Sequence, residues 1–299
     1  MVLTMHIALA KCTKLPNWEV DDRPLFEAFA ERGVQISHPA WDDASIDWSV
    51  FDACLIRTTW DYQEKHETFI AWAEHVDQVT RLFNPVAIVR WNTHKTYLRD
   101  LAERGAPIAP TVWLDAGSTV DVKEIVNSQG WSRAFIKPFI GSTSRETLRF
   151  DADEQGLIAA QAHLDRLLPN EGVMIQPYLE RVETEGELSA IFIDGEITHT
   201  VRKIPVPGDY RVQNDFGARD EPFEFEATEL DQARQIVNLV DGDLLYARVD
   251  FLRDDADRLC LSELEMVEPS LFFRHGRHAA GALAEAVCWR VDGRSSRPA

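Results

Sequence analysis

Short apolar runs alternate along the chain with polar, turn-forming stretches. Residues 5–10 read as a buried strand, and residues 24–32 as a helix entered through Asp21-Asp22 and closed by Gly33. Residues 34–37 and 53–56 read as two further strands. This β-α-β order predicts a small parallel sheet whose ligand crevice lies beyond the carboxyl ends of its strands. No GxGxxG follows the first strand, so a dinucleotide domain is not indicated. A helix is expected over 64–75, and another from Asn92 or Thr93 to Glu103, stopped by Gly105 and Pro107. Strands are expected at 111–114, 134–138 and 173–179, with a helix at 120–127. Residues 188–193 and 196–203 form a hairpin around Asp194-Gly195. A long loop at 205–217, a helix at 229–240 and a closing helix at 279–289 complete the pattern.

Residues 246–269 carry the strongest chemical signal. Two apolar runs flank a polar turn at 254–258, the pattern of a β-hairpin. Side chains two apart on a strand share a face, so Arg248 lies with Asp250, and Glu263 with Glu265. If the two faces coincide across the hairpin, three carboxylates and one guanidinium converge. Carboxylates that close repel unless a cation sits among them, and hard oxygen ligands favour Mg²⁺ or Mn²⁺. A solvated acidic hairpin is the alternative.

Other polar residues stand at the ends of expected elements. Arg57-Thr58-Thr59-Trp60-Asp61 follows the strand that ends at residue 56, where a small polar ligand would meet it. The same residues could cap the next helix, with Arg57 salt-bridged and Trp60 buried. Lys95 falls in the first turn of its expected helix, where a cation opposes the helix dipole unless an anion such as phosphate accompanies it. Lys137 ends an apolar run just before Pro138 and the small, hydroxyl-rich stretch Gly141-Ser142-Thr143-Ser144. Such a loop can offer backbone N–H groups to phosphate oxygens, or be a plain turn; it lacks the Walker spacing.

Composition narrows the choice. The 299 residues carry a formal net charge of −19, from 50 acidic and 31 basic side chains. That field repels nucleic-acid backbones, so an anionic ligand needs a local basic cluster. Cys12, Cys54, Cys260 and Cys288 form no CxxC pair, which favours reduced thiols and a cytoplasmic protein. The first apolar run is only strand-length and none is long enough for a membrane helix, so neither a signal peptide nor a membrane partner is expected.

The ordered set Lys95, Lys137, the small-residue loop, Gln176-Pro177-Tyr178-Leu179, Glu187, Arg248-x-Asp250 and Glu263-x-Glu265 resembles the ATP-grasp superfamily. Arg57-Thr-Thr-Trp60-Asp61-Tyr, Gly186-Glu187-Leu-Ser189, His199-x-Val-Arg-Lys203 and Arg211-Val-Gln213 resemble its glutathione-synthetase-like branch. Glu265 stands where the superfamily pattern has Asn. The resemblance implies an α/β fold of the α+β grasp type: a Rossmann-like pre-grasp domain over 1–90, a small lobe over 91–180 and a large lobe over 181–299. It implies ATP and Mg²⁺ (or Mn²⁺) as cofactors. Lys95 and Lys137 would meet ATP phosphates under the loop of Gly141, Ser142, Thr143 and Ser144. Gln176, Pro177, Tyr178 and Leu179 would meet adenine, and Glu187 the ribose. Asp250, Glu263 and Glu265 would hold the metal. Arg248 and Lys203 are the expected catalytic cations. Arg57, Thr58, Trp60, Asp61, Arg211, Gln213 and Glu268 are the expected substrate set, with Lys203 shared between the two. The implied activity is a carboxylate–amine ligation through an acylphosphate, with cyclisation of O-ureido-D-serine to D-cycloserine ahead of an intermolecular amide ligation. An ATP-binding regulator without catalysis is disfavoured by the intact set of charged residues. The partner is a small amino-acid-like substrate, and homo-oligomerisation is left open.

Overall fold

The computed structural model describes residues 5–15, 20–142, 144–213 and 216–293. Three sheets organise them. The first is wholly parallel, in the order β2 (Gln35–Ser37), β1 (His6–Lys11), β3 (Ala53–Thr58), β4 (Arg81–Phe83). α1 (Arg23–Glu31) and α2 (His66–Val79) pack on it, as the β-α-β pattern predicts. Strand β3 runs on through Thr58, past the predicted end at residue 56, so Arg57 lies inside the ladder rather than beyond it.

The helix expected from Asn92 or Thr93 to Glu103 begins later, as α4 (Tyr97–Glu103), and Asn92 instead ends a preceding helix, α3 (Val86–Asn92). The break between them has a tertiary cause. Lys95 N–H donates to Phe139 O at 2.7 Å instead of to the previous helical turn, and the Asn92 side chain is spent on β13. After β5 (Val112–Leu114) and α5 (Val122–Gln129), the second sheet has the antiparallel order β5-β8-β6-β7. Its β6 (Arg133–Pro138) and β8 (Val173–Pro177) match expectation. The sequence pattern did not reveal β7 (Leu148–Asp151) or α6 (Glu154–Leu167), whose Asp153 side chain caps Gly156 N–H.

A four-residue helix, α7 (Val182–Glu185), leads into the third sheet, which is antiparallel and ordered β11-β10-β9-β12-β13. β9 (Glu187–Ile193) and β10 (Glu196–Ile204) are the predicted hairpin, and β11 (Arg219–Pro222) emerges from the long loop. α8 (Ala227–Asn238) precedes β12 (Tyr246–Arg253) and β13 (Leu259–Glu265), and α9 (Arg277–Val291) follows. One apolar core joins the first and third sheets through α1 and α9. Polar groups lock the same seam. The Tyr246 hydroxyl lies 2.9–3.1 Å from the carbonyls of Ile56, Phe83 and Val267. Asn84 donates to Tyr246 O and Met266 O and accepts from Leu245 N–H. The four cysteines are free, and no helix among the described residues is long and apolar enough to cross a membrane.

His199, on β10, wedges against the turn before α9. Its Nε2 donates to Phe272 O at 3.1 Å, and a Cβ on Gly276 would meet the ring at 2.3 Å. Burial lowers its pKa from 6.5 to about 4. The unfolded chain therefore binds a proton here before the folded protein does. The stability contributed by neutral His199 is present at pH 7 and is lost as pH falls from 6.5 toward 4. Between pH 7 and 5 this loss should be about 2 kcal/mol. Urea denaturation of the native protein and of His199→Gln at both pH values measures it, and an equal pH dependence in the two would refute it.

Candidate active site

A cavity of about 300 Å³ lies where the three sheets meet. The β12–β13 register sets Arg248 opposite Glu265 and Asp250 opposite Glu263, so the two faces inferred from parity are one face. An oxygen from each of Asp250, Glu263 and Glu265 lies within 4.8 Å of the others. A bulge after Asp250 leaves Ser262 unpaired in the ladder, and its hydroxyl donates to Asp250 O at 3.1 Å.

Each carboxylate has an assigned cation. Arg248 grips Asp250 through Nε and Nη2 (2.9 and 2.8 Å), reaches Glu265 through Nη2 (2.5 Å), and donates Nη1 to Ser270 O. Lys95, from the α3–α4 turn, holds Glu263 at 2.6 Å. Lys203, from β10, bridges Glu187 and Asp250, the latter at 3.3 Å. Ser189 Oγ donates to Asp250. Lys137, by contrast, has no carboxylate partner within ion-pair distance among the described residues; its Nζ stands 5.4 Å from the centre of the Phe135 ring. Burial lowers its pKa.

The electrostatics show a shortage of positive charge. Around the converging carboxylates, Lys95, Lys137, Lys203 and Arg248 stand against Glu187, Asp250, Glu263, Glu265 and Glu268; the other basic residues of the cavity wall, Arg145, Arg211 and Arg274, are paired with Glu171, with Asp209, and with Asp21 and Asp220. Burial would raise the Asp250 and Glu263 pKa values, yet Arg248 and Lys203 hold the first at about 2, and Lys95 and Lys137 hold the second at about 2. Glu265 has only Arg248, which it shares with Asp250, and Glu268 has no ion-pair partner among the described residues. Burial, with repulsion from Asp250 and Glu263, lifts Glu265 to about 7, and burial with repulsion from Glu265 lifts Glu268 to about 8. Three converging oxygens and surplus negative charge fit a hard divalent cation.

The other end of the cavity is apolar. Phe135, Pro177, Leu179, Val182, Leu252 and Leu261 line it beside Gln176 and Tyr178. The Gln176 amide is turned to Thr111 Oγ1, and the Tyr178 hydroxyl donates to Glu183. Gly141, Ser142 and Ser144 also line the cavity, whereas Thr143 lies outside the described residues. This loop touches both flanks: Ser142 Oγ donates to Gln63 Oε1 at 2.9 Å, and Ser144 Oγ to Gln213 Oε1 at 3.3 Å.

The expected substrate set divides. Trp60, Arg211, Gln213 and Glu268 line the cavity, and Trp60 Nε1–H donates to Glu268 O. Arg57, Thr58 and Asp61 do not line it. Arg57 is fully buried and clamps Asp22 at 2.8 and 3.0 Å, with Pro269 O as a further acceptor. Thr58 is inside β3, and Asp61 accepts from Trp41 Nε1–H. Arg211 reaches the wall, but its fork is occupied by Asp209 and its plane stacks on Phe216 at 3.9 Å. The sequence reading overlooked Ser270, Phe272 and Arg274. With Glu268 they line the cavity at every second position, an alternation visible in the sequence after Pro269.

A family model described as the ATP-grasp domain of prokaryotic glutathione synthetase matches residues 110–270, more than half of the chain. The chain belongs to the ATP-grasp family. A second model, described as the N-terminal domain of the D-cycloserine synthetase DcsG, matches residues 7–84. This ATP-grasp protein is 32% identical over 289 residues to the cycloserine biosynthesis protein DcsG of Streptomyces lavendulae, covering 91% of this chain and 94% of that one. It is 27% identical over 213 residues to the glutathione synthetase of Prochlorococcus marinus, covering 70% and 64%. The crystal structure of D-cycloserine synthetase DcsG matches with a TM-score of 0.84 at 30% identity, over 96% of this chain and 99% of that one. The D-alanine–D-alanine ligase of Bacillus anthracis complexed with ATP, at 15% identity, shares the fold (TM-score 0.66, covering 97% and 98%). ATP-grasp enzymes are ADP-forming ligases that make C–N bonds using ATP and a divalent metal, and this chain is such a ligase.

Proposed function

We propose that this ATP-grasp ligase closes O-ureido-D-serine into D-cycloserine, with ATP and Mg²⁺. The observation that carries this reading is the likeness to DcsG along nearly the whole chain, including the N-terminal segment that supplies Trp60 to the cavity. Residues 1–90 act as the pre-grasp domain, 91–180 as the small lobe and 181–299 as the large lobe.

A carboxylate is a poor electrophile, so its oxygen first takes the γ-phosphoryl group of ATP, giving an acylphosphate and ADP. The ureido nitrogen bonded to oxygen then attacks the carbonyl carbon; the ring closes, inorganic phosphate leaves, and the nitrogen's proton passes to solvent. Water removes the carbamoyl group as carbon dioxide and ammonia. Asp250, Glu263 and Glu265 would hold Mg²⁺, which when bound would supply positive charge against the phosphates. Lys95 and Lys137 bind the phosphates; Lys137, with no carboxylate within ion-pair distance among the described residues, is the freer of the two. The loop of Gly141, Ser142 and Ser144 covers them and excludes water that would hydrolyse the acylphosphate. Gln176, Pro177, Tyr178 and Leu179 form the adenine slot, and Glu187 faces the ribose. Arg248 and Lys203 stabilise the acyl oxygen as charge develops on it. Glu268, its carboxylate short of cations, receives the substrate ammonium group beside Trp60 and Gln213. Nucleophile and electrophile belong to one molecule, so holding it folded supplies much of the rate advantage.

Full turnover should need no second amine. ADP release from O-ureido-D-serine alone, with D-cycloserine identified by mass spectrometry, is the expected result. ADP release only after an amine is added would instead make the chain an intermolecular ligase, as the glutathione-synthetase likeness allows. For the phosphate site, Lys137→Ala should weaken ATP binding roughly tenfold to a hundredfold, the loss of one charge-assisted hydrogen bond. Lys14→Ala and Lys65→Ala, which remove exposed lysines paired with Glu64 and Asp42, should leave it unchanged. Equal ATP affinity for all three by calorimetry would refute the assignment. Arg248→Lys should lower kcat more than it raises KM, because the fork of Arg248 serves the transition state; an effect on KM alone would move the acyl oxygen elsewhere.

A further inference from the structure

β13 carries Glu263 and Glu265, yet it is the outermost strand of its sheet, with β12 as its only ladder partner. At Leu261 its outer edge makes an isolated bridge with Ile108, the Leu261 N–H donating to Pro107 O at 2.7 Å; around Glu265 that edge is answered by side chains. Leu264 N–H donates to Tyr97 Oη at 2.9 Å, and Leu264 O accepts from Asn92 Nδ2 at 2.7 Å. Met266 N–H donates to Asn92 Oδ1 at 2.8 Å, and Met266 O accepts from Asn84 Nδ2 at 2.8 Å. These are the consecutive outward groups on either side of Glu265. Asn92 alone bridges the middle pair, and it is buried. A primary amide offers a donor and an acceptor from one rigid plate, which matches one C=O and the next outward N–H of a strand. The same turn carries Lys95, which holds Glu263, so one segment fixes both the backbone of β13 and one of its carboxylates.

We propose that Asn92 is a positioning residue for the divalent cation: by bridging Leu264 O and Met266 N–H it fixes the backbone around Glu265, and with it the spacing of the Glu263 and Glu265 carboxylates. The inference rests on the reading of Asp250, Glu263 and Glu265 as the ligands of that cation. Without the amide, a buried C=O and a buried N–H lose their partners, and an unpartnered strand edge can shift or admit water. The carboxylates then lose their preset separation, as when an outer-shell partner of a metal ligand is removed.

Mn²⁺ binding to the full chain in the presence of ADP, followed by the EPR signal of free Mn²⁺, tests this. Asn92→Ala should raise the Mn²⁺ dissociation constant roughly tenfold to a hundredfold, while ADP affinity without metal stays at the native value. Native Mn²⁺ affinity in a folded Asn92→Ala protein, with or without a lower melting temperature, would make Asn92 an ordinary buried amide and overturn the proposal. If Asn92→Ala does not fold, Tyr97→Phe decides. It keeps the ring and removes only the acceptor of Leu264 N–H; weaker Mn²⁺ binding supports the positioning role of this edge, and unchanged binding overturns it. Glu263→Gln separates the two readings. Native Mn²⁺ affinity there refutes the cation site itself, whereas lost binding there with native binding in Asn92→Ala refutes only the positioning role.

Discussion

Five carboxylates, Glu187, Asp250, Glu263, Glu265 and Glu268, crowd one end of the cavity with only four basic side chains not claimed by other acids, and that imbalance governs the architecture around it. Bringing like charges together in a medium less polar than water is costly unless each is answered by a cation or a hydrogen-bond donor. Asp250 is answered three times, by Arg248, Lys203 and Ser189, and stays ionised at low pH. Glu265 and Glu268 are answered least, and their raised pKa values mark where further positive charge is wanted. A nucleotide with its metal is such a ligand, since it brings phosphates for the lysines and a cation for the carboxylates.

Holding repelling groups together requires a stiff frame, and the frame here consists of contacts between sheets. The Arg57–Asp22 pair is fully buried beneath Pro269, directly under the stretch that carries Glu268 and Ser270 to the cavity wall. Breaking such a pair leaves an unanswered buried charge and costs about 3–5 kcal/mol, so Arg57 acts as a brace rather than a ligand. Asn84 and Tyr246 fasten the first sheet to the third, and Arg274 ties the turn before α9 to Asp21 and Asp220. Phe272 sits in that turn with φ of 48°, a conformation costly for an aromatic residue, and its ring lies against both Arg248 and Arg274. The surrounding contacts hold it there.

The cover of the cavity is built differently. The loop after β6 is anchored at its far end by Arg145 on Glu171 and Glu146 on Arg166, while over the cavity its Ser142 and Ser144 hydroxyls meet Gln63 and Gln213, and Tyr210 lies edge-on to Phe135. Neutral hydrogen bonds of this sort contribute little net stability, so the tip over the cavity can open for ligand exchange while the floor stays fixed. The contrast between a charged, braced floor and a cover whose tip is held by neutral hydrogen bonds is what a ligase protecting a hydrolysable intermediate requires.

The sequence by itself determined most of the periodic elements, though not β7 or α6, together with the β-α-β opening, both hairpins, and the parity that aligns Arg248 with Asp250 and Glu263 with Glu265. Those are local properties: side-chain alternation follows from strand geometry whatever lies nearby. It also held the ordered charged set on which the ATP-grasp resemblance rested. Only the tertiary structure decided which polar residues face the cavity. Arg57 and Arg211 look alike in sequence as candidate anion forks, yet Asp22, from 35 positions away, buries one, and Asp209, two positions away, occupies the other. The break between α3 and α4 was hidden for the same reason, since Lys95 N–H finds its acceptor at Phe139 and Asn92 finds its partners on β13, distant in sequence. A residue's spacing fixes the direction its side chain leaves the backbone; what it meets there depends on segments that only folding brings near.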